Sequence, residues 1–216
     1  MSNANERLAR LEAKEELRSE YNQVGGRFGM HPNFHYLKGI EASTGSLGHG
    51  LSLSVGYALS ARMDKRDFWV VCMTGDGEMD EGSNWEALMT GAQYGLGNLV
   101  LIVDKNQLQI GGPTTEIKSL EPLDKRLEFF GWDVINIENG NDMAQVLAAL
   151  DKLPKPDSQT RRRPIAIISN TLKGIGPFLA LRALDQVHTD VAYQNIPRPH
   201  RQHPFRPDLR RRPDAL

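Results

Sequence analysis

Between Trp69 and Gly112 the chain carries two short apolar runs, each closed by a carboxylate or amide group, with a helix-length segment between them. Trp69 to Thr74 (WVVCMT) stops at Gly75, and Leu99 to Val103 (LVLIV) stops at Asp104. Apolar and β-branched runs of this length predict buried strands. From Ser83 to Tyr94, the residues Trp85, Leu88, Met89 and Ala92 fall at helical spacing. Strand, helix and strand in this order predict a βαβ crossover between parallel strands. In open parallel sheets, ligands bind just beyond the carboxyl ends of the strands, where Gly75-Asp76-Gly77 and Asn106 both fall.

The groups at those two strand ends suit a divalent metal on a diphosphate. Mg2+ takes oxygen ligands in octahedral array, usually only one or two of them from side chains, and leaves the rest to phosphate and water. Asp76 offers a carboxylate and Asn106 an amide oxygen, and the turn after Asn106 can add the backbone carbonyl of Leu108. Gly75 and Gly77 let the backbone approach a phosphate closely. A Gly-Asp-Gly tripeptide alone is more often a simple turn. Asn106, placed after a second strand, is what turns the balance toward a metal site.

The pattern Gly75-Asp76-Gly77, followed by Asn106 in DKNQLQIGGPT, resembles the thiamine diphosphate motif, and the intervening EGSNWEALMTGAQYGLGNLVLIVD is similar to transketolases. The likeness is to those whose two halves are separate chains, of which this resembles the N-terminal, diphosphate-binding one. It covers Gly25 to Gly176 and implies an α/β fold with a mainly parallel sheet flanked by helices, holding thiamine diphosphate and Mg2+. Implied substrates are sugars or sugar phosphates, between which a two-carbon ketol unit passes from a ketose to an aldose. The implied partner is a C-terminal subunit carrying the pyrimidine-binding domain, in a homodimer or heterotetramer.

The same resemblance assigns roles to particular residues. Gly29-Met30-His31-Pro32 lies in a loop-like stretch from Gly25 to Ile40 and is similar to the family loop whose histidine reaches cofactor and substrate, which makes His31 a candidate. The backbone of Gly45, Ser46 and Leu47 matches a segment lining the thiamine pocket. From the residues alone, Gly45, Gly48 and Gly50 allow close approach either to a ligand or to a neighbouring strand. Ser43 or Thr44 can cap the helix that follows, whose interior from Leu51 to Met63 is apolar all round and so is expected to be buried. Glu81 and Glu86 match carboxylates that link the two thiamine sites of a transketolase dimer, which implies burial at an interface and a proton-relay role. Glu78 and Asp80, by contrast, read as part of a solvated acidic run, and His49 as helix packing or surface. His188 is the one candidate near the place of a further substrate-contacting histidine, although Thr189 stands where the family has glycine. Thr171-Leu172-Lys173-Gly174-Ile175-Gly176 resembles the family's Lys-Gly-Lys-Gly segment, with Ile175 in place of the second lysine.

At 216 residues and 39% hydrophobic content, the chain is long enough for one domain with a substantial core. Three parts are expected: an amphipathic N-terminal helix within 1–24, the cofactor domain over 25–176, and an Arg/Pro-rich tail over 177–216, disordered from about Pro197. A third strand is expected from Trp132 to Ile137, a fourth from Pro164 to Ser169, and helices from Leu123 to Phe130 and from Asn141 to Leu153. The formal charge of −1 provides no general attraction to nucleic acid, and the arginines of the tail read as a solvated segment. No apolar run has the length of a membrane span and no secretory signal opens the chain, so a cytoplasmic location is expected. Cys72, the single cysteine, is placed inside a strand and reads as inert core.

Two other functions fit part of this pattern. The Gly-Asp-Gly-Glu-Met-Asp-Glu run also suits the decarboxylating component of a 2-oxo acid dehydrogenase. A truncated, non-catalytic transketolase remnant would account for the late start relative to the family, whose preceding region supplies further histidines, and for the unmatched tail. Ketol transfer measured against 2-oxo acid decarboxylation, with the C-terminal partner supplied, separates the enzymatic readings.

Overall fold

Four parallel strands carry the described part of the chain: β1 (Val70–Gly75), β2 (Leu99–Lys105), β5 (Asp133–Ile137) and β6 (Ile165–Asn170), in the spatial order β1-β2-β6-β5. The computed structural model describes residues 19–37 and 40–173, all within a unit that ends at Lys173. Residues 1–18 of the expected N-terminal helix, His188 and the tail lie outside the described residues. Around the sheet are helices α1 (His49–Met63), α2 (Gly82–Tyr94), α3 (Thr114–Ile117), α4 (Leu123–Phe129) and α5 (Met143–Leu150). A two-stranded hairpin, β3 (Leu108–Gln109) with β4 (Gly112–Pro113), follows β2. The expected parallel α/β architecture is present, and β1-α2-β2 is the expected crossover.

Alternation along the strands divides the core in two, because successive side chains point to opposite faces. Leu99, Leu101, Val103, Ala166 and Ile168 share one face with Val70 and Cys72, and join Leu51, Ala58, Leu88, Leu127 and Trp132 in the larger core cluster. Val100, Ile165 and Ile167 face the other way and meet Ile137 and Ala149 in a smaller one. Trp132 is fully buried, and its indole N–H donates to the Leu88 carbonyl at 3.0 Å, which ties β5 to α2. Cys72 is buried as expected, and that burial pushes its thiol pKa up, against nucleophilic use.

Two expectations about burial need correction. β1 is an edge strand of the described sheet rather than a strand buried on both sides: Val71 and Met73 are 54% and 68% exposed, while Val70, Cys72 and Thr74 are buried. Helix α1 likewise buries one face only, through Leu51, Val55, Ala58 and Ala61, and leaves Leu53, Tyr57 and Met63 exposed. Apolar residues all round a helix say that several faces resist water, not that the described chain covers them all. Neither Ser43 nor Thr44 caps this helix. Its N-cap is Gly48 in the left-handed region (φ 79°), and the Ser43 hydroxyl instead accepts the Phe34 amide at 3.2 Å. Among the described residues, no helix is long and apolar enough to cross a membrane.

Candidate functional site

The registers Gly75↔Asp104 and Asp104↔Ser169 bring the carboxyl ends of β1, β2 and β6 level, so Asp76, Asn106 and Thr171 emerge side by side just past the sheet. Asp76 is only 8% exposed. Its Oδ1 accepts the Gly77 amide at 3.0 Å, its Oδ2 accepts the Gln107 amide at 2.8 Å, and its own N–H donates to the Asp104 carbonyl at 3.1 Å. The loops after β1 and β2 are thereby joined through one carboxylate.

Asn106 is held from both ends of its amide. Its Nδ2 donates to Asp104 Oδ2 at 3.2 Å and its Oδ1 accepts the Leu108 amide at 3.1 Å. Asp104 Oδ1 in turn accepts the Thr171 hydroxyl, so the end of β6 supports the same loop. Leu108 pairs across the hairpin with Pro113, which has no N–H to give the Leu108 carbonyl. Gln107, between them, adopts a left-handed φ of 62°, and its carbonyl accepts the Thr114 amide at 2.9 Å.

The electrostatics fit a cation. Burial raises the pKa of Asp76 above the ordinary aspartate value against the two amide bonds that lower it, and the nearby Asp104 charge pushes the same way as burial. Among the described residues no ion pair reaches either carboxylate. A buried acid without a positive partner is the condition a divalent ion relieves. A Cβ built on Gly75 would meet nothing within 4 Å, so space lies beside the acid. Among the described residues no three His, Cys, Asp or Glu side chains cluster as a cage, and an ion here would complete its shell from phosphate and water.

The glycine-rich segment and His31 lie against one another. A Cβ on Gly45 (φ 115°) would sit 2.7 Å from Cγ and Cδ2 of the His31 ring, and the Thr44 amide donates to the Pro32 carbonyl at 3.2 Å. Gly45, Ser46 and Leu47 are exposed, Leu47 by 56%, and the Ser46 hydroxyl bonds His49 Nδ1 at 3.0 Å. Glu81 and Glu86 are both exposed on the single chain, Glu81 at the N-cap of α2 and Glu86 within its first half.

Glu78 is the functional-site neighbour that sequence reasoning missed. Rather than belonging to a solvated run, it is half-buried, with Oε1 accepting the Gly48 amide at 2.9 Å and Oε2 the Gly75 amide at 3.3 Å. Asp80 is also half-buried: its carbonyl accepts Lys118 Nζ at 3.3 Å, and its Oδ2 accepts the Gln109 amide nitrogen at 3.5 Å. An acid directly after Gly-Asp-Gly is the only signal the sequence offered for Glu78, and acidic runs are usually solvated.

Comparison with known proteins places this arrangement in a family. The family described as "Transketolase, thiamine diphosphate binding domain" matches residues 10–203. The chain is 44% identical over 170 residues to an apulose-4-phosphate transketolase subunit of Phocaeicola vulgatus, covering 77% of this chain and 58% of that protein. It is 37% identical over 161 residues to a 6-deoxy-6-sulfo-D-fructose transketolase subunit of a Clostridium species, covering 74% of this chain and 57% of the relative. The crystal structure of transketolase from Campylobacter jejuni superposes with a TM-score of 0.65 at 29% identity, over 76% of this chain and 26% of that one. The chain thus spans rather more than half the length of these two subunit relatives. With the family match running through both strand ends and the crossover between them, the chain belongs to the transketolase family and carries its thiamine diphosphate-binding domain.

Proposed function

We propose that this chain is the N-terminal part of a transketolase, binding thiamine diphosphate through a Mg2+ ion held by Asp76, Asn106 and the Leu108 carbonyl. The observation that carries the proposal is the pairing of adjacent strand tips, with the uncompensated, buried Asp76 bonded to the backbone of the very loop that presents Asn106. Gly75 leaves open space beside the backbone for the diphosphate, whereas the side of Gly77 where a Cβ would stand is filled by Gln109 at 2.7 Å, and the backbone of Gly45, Ser46 and Leu47 would form a wall for the heterocycle. When bound, the cofactor supplies a nucleophilic carbon and a sink for the electrons released on carbon–carbon cleavage.

The chain's own residues bind and orient. Asp76 would hold the ion as a carboxylate, and Asp104, by accepting from the Asn106 NH2, orients that amide so that its Oδ1 would be shared between the Leu108 amide and the ion. His31 packs on Gly45 and, in this reading, would orient the sugar hydroxyls; such positioning can lower the barrier by about 7–11 kcal/mol. Glu81 and Glu86 are surface groups of the single chain, available to a second copy for the proton-relay contact. His188 belongs to the proposed substrate contacts only through the resemblance, since it lies outside the described residues.

The reaction proposed is transfer of a two-carbon ketol unit from a ketose or its phosphate to an aldose or its phosphate, in a homodimer or heterotetramer with a C-terminal pyrimidine-domain subunit. Two relatives are named as transketolase subunits, for apulose 4-phosphate and for 6-deoxy-6-sulfo-D-fructose, which supports both a divided enzyme and a sugar substrate. These names favour ketol transfer over 2-oxo acid decarboxylation. Mixing the chain with a C-terminal transketolase subunit, Mg2+ and thiamine diphosphate should give ketol transfer and no decarboxylation of 2-oxo acids. Decarboxylation without ketol transfer overturns the assignment.

A further inference from the structure

We propose that Glu78 is a positioning residue, whose carboxylate spans the two glycine loops of the site and sets the distance between the heterocycle wall and the diphosphate anchor. One oxygen accepts the amide of Gly48, which ends the Gly45–Leu47 wall, and the other accepts the amide of Gly75, which precedes Asp76. Both contacts are backbone donors to a charged acceptor, the stronger class of hydrogen bond. The residues they join stand 27 positions apart in sequence, and Glu78 is the side chain bonded to both.

The surroundings fix the origin of that side chain. Glu78 opens a short 3-10 turn, and its carbonyl accepts Nδ2 of Asn84, a fully buried residue, at 2.7 Å. The next carbonyl, that of Met79, accepts the Trp85 indole at 2.9 Å. Gly48 is held equally firmly from its other side. Its carbonyl accepts the Ser83 hydroxyl at 2.8 Å, and a Cβ there would meet Glu81 Cβ at 2.5 Å. The first turn of α2 therefore seats Gly48 and the backbone of Glu78, and the carboxylate reaches from there to Gly75. Glutamine cannot replace this group, because its amide offers one acceptor atom and a donor NH2 where two N–H groups converge. Aspartate is one methylene too short to reach both.

The proposal rests on the thiamine diphosphate reading, and its test separates the two. The full chain, together with a C-terminal transketolase subunit, is titrated calorimetrically with Mg2+ and thiamine diphosphate, and in parallel with Mg2+ and inorganic pyrophosphate, which engages the anchor alone. Glu78→Gln should weaken thiamine diphosphate by about tenfold or more, yet leave pyrophosphate within about twofold. Equal loss of both ligands, or loss of neither, overturns the positioning role while leaving the cofactor reading intact. A wild-type assembly of the two subunits that binds neither ligand overturns both. Amide hydrogen exchange of the metal-free wild type adds a check that needs no variant to fold: Gly48 and Gly75 should both be protected, and free exchange at Gly48 contradicts the bridge.

Discussion

The Gln107 amide donates to Asp76 Oδ2 at 2.8 Å, across two loops that follow neighbouring parallel strands. Because Gln107 sits next to Asn106, this one bond fixes the relation between the two side chains proposed to share a metal. It also gives Asp76 a structural task that its place at a strand end conceals.

Asp76→Ala should therefore do two things at once. It removes the proposed metal carboxylate, and it takes the acceptor from the amides of Gly77 and Gln107 in a partly buried setting, where losing a hydrogen bond to a charged group costs about 1–3 kcal/mol. Urea denaturation should show a loss of that order in the metal-free chain, and unchanged stability contradicts the bridging role.

The raised pKa of Asp76 makes a pH signature. Its proton is held more tightly in the folded state than in the unfolded chain, so its contribution to stability is complete below the ordinary aspartate value and is lost as pH rises through the raised one. The metal-free chain should lose stability across that window as pH rises, and Asp76→Asn should remove this part of the slope. Saturating Mg2+ should reverse the trend, since the ion binds the deprotonated form. Parallel pH profiles of wild type and Asp76→Asn without metal count against a buried, uncompensated acid.

Gly45→Ala tests the contact with His31. Alanine at a φ of 115° carries backbone strain of about 1–2 kcal/mol, and its methyl would displace the imidazole. In a His31→Ala background the ring clash is gone and only the strain and a 3.1 Å contact with the Cβ of residue 31 remain, so the two changes should couple by about 0.5–3 kcal/mol in thermal or chemical denaturation. Simple additivity shows that the ring does not rest on Gly45.

Trp132→Ala probes the scaffold under the site. Loss of a fully buried indole and its bond to the Leu88 carbonyl should cost about 3–5 kcal/mol, seen as an early denaturation midpoint. A cost near zero would show that β5 and α2 are not held together there.

Much of this was legible in the sequence because strand periodicity alone places Gly75-Asp76-Gly77 and Asn106 at adjacent carboxyl ends. The crossover, the buried Cys72 and the helices from Leu123 and Met143 follow from the same patterning, with ends shifted by up to three residues. What patterning does not carry is the direction of a polar side chain. Glu78 reads as solvent-facing because acids in runs usually are, while its partners are backbone amides brought near by the fold. The exposed faces of β1 and α1 were missed for a related reason: hydrophobicity says a face avoids water, not which part of a protein covers it. Burial of Asp76 was hidden too, because it depends on the hairpin loop folding back over the strand tip through Gln107.

The most direct measurement is calorimetric titration of thiamine diphosphate into the full chain paired with a C-terminal transketolase subunit, with and without Mg2+, for the wild type, Asp76→Ala and Asn106→Ala. The expected result is Mg2+-dependent binding by the wild type that either substitution weakens by about a hundredfold. Binding that needs no metal, or that survives both substitutions undiminished, contradicts a shared ion at the two strand tips.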